Sequence, residues 1–263
     1  MKGVALLFLG TVLTLSSCMW GKPHNPKAAI TKDTLKYAYH TLKQHAANCG
    51  KPQPGNCAAF EIKYPVFFSQ QTLNDTVTRK MTVLFESNTA DTSLHQLIDR
   101  FFKAWDKNVS HTPTVYTLNI KTIVLRQDSG FTTLEIDGNT YQGGAHGSLM
   151  TSFINWNTKT KKTVSLTDIL VNNYEETLTR IADTIFRKQE KLSDIAPLDK
   201  DYFFKDGKFA LNKNYSITPL GIKFLYNPME IKPYAAGQTG LFVPYAKIKL
   251  LLQPNTVVSQ YIK

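Results

Sequence analysis

The sequence predicts an α+β fold, with antiparallel sheets, helices packed on one face, and two subdomains. Three observations lead there. Segments that alternate apolar and polar residues at period two follow one another from Thr114 to Leu166, separated by turn residues. Amphipathic helical patterns lie on both sides of that block, and a strand meander with helices on one face is the economical way to bury both kinds of element. Roughly 245 residues remain once an N-terminal targeting segment is set aside, enough for one large or two small cores.

Met1 and Lys2 give a positive start, and GVALLFLGTVLTL is an apolar run too short to cross a bilayer, so residues 1–17 read as a secretory signal. The run ends in Leu15-Ser16-Ser17-Cys18, small residues followed by a cysteine, as at a bacterial lipobox. An ordinary signal with a chance cysteine is the alternative; the place of Cys18 directly after the apolar run favours lipidation. Acyl chains on Cys18 would then hold the protein to a membrane without a transmembrane helix.

Residues 18–55, rich in Lys, Pro, Asn and Gly, read as a tether. Within them TKDTLKYAYHTLKQHAA fits either a short helix or an extended segment. Cys49 and Cys57 bracket GKPQPGN and form an even pair once Cys18 is set aside, so an exported chain would join them as a disulfide. A metal pair is the alternative, but no second Cys/His pair sits at ligand spacing; neither a metal nor a cofactor is expected.

The folded part opens with a strand, Ala58 to Phe67, in which Phe60, Ile62 and Tyr64 share a face. A helix over Leu73 to Phe85 follows. In the next, Leu94, Leu97, Ile98, Phe101, Phe102 and Trp105 make one broad apolar face behind a Ser93/Gln96 capping box, and the aromatic stripe reads as core packing. Strands are expected over residues 114–126, 131–137 and 149–156, with NTKTKK as a hairpin loop leading to a strand over Thr163 to Leu166. Ser165 and Asp168 form another capping box, and NYEETLTRIADTIFRKQEKL is a helix burying Leu178, Ile181, Ala182 and Ile185. Residues 193–213 read as loop and short strand, ITPLGIKFLY as one strand, NPMEIKPYAAG as a loop, TGLFVPY as a strand and AKIKLLL as a terminal helix.

The formal net charge is +11, which suits anionic partners such as phospholipid head groups or polyanionic wall polymers. The lysines of KTKK, KDGK and FRKQEK are scattered without interleaved aromatics, which describes a solvated surface. Export argues against nucleic acid as a partner.

YQGGAHG, followed by a strand, a Lys/Thr-rich hairpin and VSLTDIL, resembles a junction in exported bacterial proteins related to the extracytoplasmic part of the anti-sigma factor RsiV. YNPMEIKPYAAGQTGLFVPYAKIKLLL is similar to that family's C-terminal signature, in the same order. The half before the junction resembles the domain that precedes the catalytic domain of PdaC-type peptidoglycan deacetylases. The resemblance runs from about Phe60 to the end and implies a two-part α+β exported module, residues 56–160 and 161–263. It implies a lysozyme-receptor role in one setting and an accessory role in the other. This sequence shows no anti-sigma segment, transmembrane helix or deacetylase domain, so neither the signalling nor the catalytic role is carried over.

His146 is the sharpest candidate for chemistry. A catalytic histidine needs an orienting carboxylate and a nucleophile or metal; the nearest carboxylate in sequence is Asp137, and Ser148 lacks a Gly-x-Ser-x-Gly elbow. The alternative is that Gly143 and Gly144 bend the chain, hinge-like, from the first half to the second, and His146 hydrogen-bonds backbone there. Glu230 is the second candidate, in a loop stiffened by Pro228 and Pro233; it would bind a sugar or cationic partner, or accept from nearby amides. Tyr141 joins His146 and Glu230 as a binding candidate, and Tyr234 and Tyr245 are either aromatic walls or core lids. The expectation is a non-enzymatic, lipid-anchored envelope protein that binds peptidoglycan glycan or a lysozyme-type protein. The alternative is a peptidoglycan-modifying enzyme with His146 and Glu230 in one cleft.

Overall fold

The computed structural model describes residues 35–46, 49, 57–109 and 115–262. The signal, the lipidated Cys18, most of the tether and the GKPQPGN loop lie outside the described residues. All of those described fall in one compact unit.

Six strands form the first sheet in sequence order: β1 (Tyr37–His45), β2 (Cys57–Phe67), β3 (Val115–Asp128), β4 (Phe131–Tyr141), β5 (Ser148–Asn157) and β6 (Lys162–Thr163). The segment left open between helix and strand is therefore β1. It pairs with β2 along its whole length, so residues 37–45, expected in the tether, belong to the sheet. Cys49 and Cys57 are joined in a disulfide that ties the chain after β1 to the start of β2.

Every pairing is antiparallel except β2 with β3, which run parallel. The chain returns between them through α1 (Gln71–Thr82) and α2 (Leu94–Val109), a connection long enough for the crossover that parallel strands require. Both helices cover one face of the sheet. Leu73, Val77 and Met81 of α1 and Leu94, Leu97, Phe101 and Trp105 of α2 pack on Phe60, Ile62, Leu118, Ile120, Leu134 and Ile136. Gly138 sits beneath this layer, where an added Cβ would lie 2.4 Å from Leu84 Cδ2 and 2.8 Å from Phe85 Cζ.

A second core gathers around α3 (Tyr174–Gln189) and a three-stranded antiparallel sheet, β7 (Tyr215–Ile217), β8 (Gly221–Tyr226) and β9 (Thr239–Pro244). Leu178, Ala182 and Phe186 of α3 pack with Ile222, Phe224, Tyr226, Leu241 and Val243. The observed architecture is the α+β arrangement of two packed parts.

Four local expectations are corrected. ITPLGIKFLY is a hairpin, because Thr218 Oγ1 accepts from Leu220 N and Gly221 N at 3.3 and 3.2 Å and turns the chain. Thr163 to Leu166 is not a strand: β6 ends at Thr163, and Ser165 with Asp168 caps a single 3-10 turn, Leu166–Asp168. AKIKLLL forms two 3-10 turns, Tyr245–Lys247 and Lys249–Leu251, in place of an α-helix. The Gly-Gly-Ala-His run is the β4–β5 hairpin loop within one sheet, where Gly143 and Gly144 have φ of 87° and 93°; it does not lead from one half to the other.

Candidate functional site: a polar trough and its aromatic rim

Period-two alternation decides what the face of the first sheet opposite α1 and α2 presents. Phe60, Ile62, Leu118, Ile120 and Ile136 point to the helices, so Glu61, Lys63, Asn119, Lys121 and Asp137 stand on the other side. Register brings them into rows: Lys63 opposite Lys121 opposite Asp137 opposite Thr151, and Glu61 opposite Asn119 opposite Asn139 opposite Leu149. All of these but Thr151 line a cleft of about 390 Å³. Asn119 Nδ2 donates to Asn139 Oδ1 at 3.1 Å across its floor. At the β1 side Lys43 pairs with Glu61 at 3.1 Å and Lys63 Nζ lies 5.3 Å from the centre of the Tyr39 ring.

The second sheet is stitched to the neighbouring part of this face by side-chain amides. Asn155 Nδ2 donates to Tyr215 O at 2.9 Å and its Oδ1 accepts from Ile217 N at 2.8 Å. Where the sheets meet, Thr151 Oγ1 donates to Asp137 Oδ1 at 2.6 Å, and Gln238 Nε2 donates to Thr151 Oγ1 at 2.8 Å. Glu135, two residues from Asp137 on the same strand face, is held above the usual carboxylate range. Burial is the main cause, the Asp137 charge and hydrogen bond add to it, and the Lys223 ammonium partly offsets it.

The 142–147 loop and the 227–238 loop meet beside the trough. The exposed His146 ring stacks on Tyr234 with centroids 4.0 Å apart and planes 16° from parallel. His146 Nδ1 lies 2.9 Å from Gly147 O, which places the ring hydrogen on that nitrogen. Tyr141 OH donates to Gly144 O at 2.9 Å and fixes the loop from beneath.

Glu230 holds its own loop together: Oε2 accepts from Asn227 N at 2.8 Å and Oε1 from Asn212 Nδ2 at 2.7 Å. The arrangement thus brings His146, Tyr234 and Tyr141 to one rim and gives Glu230 a place in the scaffold of the loop that carries Tyr234. Tyr245 is a core residue, 5% exposed, its phenol pushed well above the usual range by burial. Neither His146 nor Glu230 lines the cleft of about 390 Å³ itself. Among the described residues no group of three or more His, Cys, Asp or Glu side chains could hold a metal ion, and no helix is long and apolar enough to cross a membrane.

Sequence reasoning missed the trough residues Lys63, Asn119, Lys121 and Asn139, and singled out Asp137 only as the carboxylate nearest His146 in sequence. Their signal is the polar half of each alternating strand, which identifies a face but not which strands lie side by side. Asn227, with Pro228, reads as the start of a turn, but the bonds that Asn227 and Gln238 make to Thr151 leave no local pattern.

Residues 167–246 match the family described as "Protein of unknown function (DUF3298)", a span that holds Glu230, Tyr234 and the second sheet. No curated protein matches the chain. Two solved structures are similar to it over most of its length. One is a DUF3298 family member from Bacteroides fragilis, 23% identical with a TM-score of 0.66, the match covering 87% of this chain and 97% of that one. The other is a DUF3298 family protein from Pseudomonas aeruginosa, 23% identical with a TM-score of 0.68, covering 85% and 96%. At that identity the likeness is one of fold, and residues 167–246 are the part of the chain that matches the DUF3298 family model.

Proposed function

We propose that this chain is a non-enzymatic, lipid-anchored protein of the cell envelope that binds a cell-wall glycan in the trough. Export through residues 1–17 and acylation of Cys18 place it on a membrane facing the periplasm or exterior. Residues 56–160, which resemble the PdaC accessory domain, supply the floor; residues 161–263, which resemble the RsiV extracytoplasmic part, supply the Tyr234 side of the rim.

The observation that carries this reading is the His146–Tyr234 stack standing beside an amide- and lysine-lined cleft. Planar rings offer a face to the C–H surface of a sugar ring, while Asn119, Asn139 and Asp137 suit hydroxyls and N-acetyl groups, and Lys63 and Lys121 suit the carboxylates of peptidoglycan. Catalysis is disfavoured by geometry. Both Glu230 oxygens already accept hydrogen bonds, and one face of the His146 ring is covered.

The test is co-sedimentation of the full chain with insoluble peptidoglycan, and capture on immobilised lysozyme, each at low and physiological salt. Retention on peptidoglycan at both salts, cut several-fold by Lys63→Gln/Lys121→Gln, is expected. No retention on peptidoglycan overturns the glycan reading, and capture by lysozyme alone replaces it with a protein partner.

A further inference from the structure

The two edges of the first sheet are finished differently. At one, β6 is two residues long and carries Lys162, the kind of short, charged strand that discourages further pairing. At the other, β1 is nine residues long, holds no proline, and pairs with β2 along its whole length without a bulge. Among the described residues no strand pairs with its outer side. Eight of its nine residues are exposed, Tyr39 at 42% and Leu42 at 37% among them.

The β1–β2 ladder decides which backbone groups are open. Ala46 N donates to Ala58 O at 2.8 Å at one end, and Phe68 N to Lys36 O at 2.9 Å at the other. Bonded residues alternate in an antiparallel pair, so Ala38, His40, Leu42 and Gln44 turn their amides and carbonyls to β2. Tyr37, Tyr39, Thr41, Lys43 and His45 turn theirs outward. An antiparallel strand that meets all five must offer five such residues at the same spacing, and β1 of a second copy does so about Thr41. Tyr37 then lies opposite the copy's His45, Tyr39 opposite the copy's Lys43, and Thr41 opposite itself, five pairs that exchange about ten backbone hydrogen bonds. Lys43 is the strand's single lysine. It meets an aromatic ring and not its own copy, so no like charges stand opposite one another.

We infer that β1 docks on β1 of a second copy of this chain, joining two six-stranded sheets into one continuous sheet. The copy supplies the length and the register that an unrelated strand would have to reproduce. Residues opposite one another in an antiparallel pair share a face, and Thr41 stands opposite Lys63 on the trough face, so both troughs open to the same side. Tyr39 gains the copy's Lys43 beside its ring and Leu42 gains the copy's His40, which covers the two large exposed apolar residues of the strand. One strand from each copy makes a small contact, below about 1,200 Å² in all, so the dimer is reversible and depends on concentration.

The experiment is sedimentation velocity of the full chain over a concentration series at physiological salt, in excess non-ionic detergent that keeps the apolar residues 1–17 of different copies apart. The parent is expected to pass reversibly from monomer to dimer. Thr41→Pro removes one outward amide, leaves the β2 ladder untouched, and is expected to weaken the dimer about tenfold or more. Tyr39→Lys sets like charges opposite one another and is expected to weaken it about tenfold, while Tyr39→Glu sets opposite charges there and is expected to stay within about threefold of the parent. The melting temperature of each variant reports its folding, and the two Tyr39 variants carry the test if Thr41→Pro does not fold. A parent that stays monomeric up to about 1 mM overturns the proposal. So does a dimer that folded Thr41→Pro leaves intact, or one that both Tyr39 variants weaken equally, since the contact then lies on another surface or in another register. No peptidoglycan is present in these measurements, so the trough stands or falls independently.

Discussion

Asn227 pairs with both backbone atoms of Thr151: its Oδ1 accepts from Thr151 N at 2.7 Å and its Nδ2 donates to Thr151 O at 3.1 Å. One side chain thereby takes the place of a neighbouring strand and ties the loop that carries Tyr234 to β5. Both residues are buried, Asn227 8% and Thr151 5% exposed. Asn227→Ala strands the Thr151 amide away from water, while the carbonyl keeps Asn214 Nδ2 at 2.8 Å. The expected cost is about 2–3 kcal/mol, read as a shift of the urea midpoint at unchanged slope. A cost below about 0.5 kcal/mol would show that the loop repacks freely.

The Cys49–Cys57 disulfide closes a short loop in the unfolded chain. Chain-entropy arguments give such a loop about 2.5 kcal/mol of stabilisation. Cys49→Ser/Cys57→Ser is expected to lower the urea-derived stability by that order. Addition of reductant should do the same to the parent protein and leave the double variant unchanged.

Glu135 sets a pH dependence opposite in sign to that of a salt-bridged acid. Its folded-state pKa is raised by burial first and Asp137 second, so its contribution is favourable below the usual carboxylate value and is lost as pH rises through the raised one. Glu135→Gln removes the charge that burial and Asp137 oppose, at the expense of the Lys223 attraction. The melting temperature of this variant is expected to exceed that of the parent at pH 7, with the difference shrinking toward pH 4. A difference that is constant with pH would rule out the carboxylate pair as its source.

The elements were legible where one face is apolar. Leu94, Leu97, Phe101 and Trp105 announce α2, and Leu118 and Ile120 announce β3, because burial leaves a periodic trace. The parallel pairing of β2 with β3 left none: its only sign is the long helical connection between them. The β7–β8 hairpin was hidden inside an apolar run, although Pro219 and Gly221 interrupt it; Gly221 is required because a Cβ there would lie 2.3 Å from Val243 O. Polar stitches such as Asn155 and Asn227 replace strand partners across distant segments, and hydrophobic pattern carries no record of them. Likewise His146 and Tyr234 could each be singled out, but their stacking is a product of tertiary assembly.

That stack separates two roles for His146. If the ring serves as a rim surface, its shape and planarity matter and its proton does not; a general acid or base would behave in the reverse way. His146→Phe keeps an aromatic face against Tyr234, whereas His146→Ala removes it. Peptidoglycan retention is expected to stay within about threefold of the parent for His146→Phe and to fall about tenfold for His146→Ala, in line with about 0.5–1.5 kcal/mol for an aromatic contact. Tyr234→Ala should match His146→Ala, and combining the two should cost little more, since each single change already abolishes the stack. Equal loss in His146→Phe and His146→Ala would assign the function to the imidazole nitrogens and return His146 to the list of catalytic candidates.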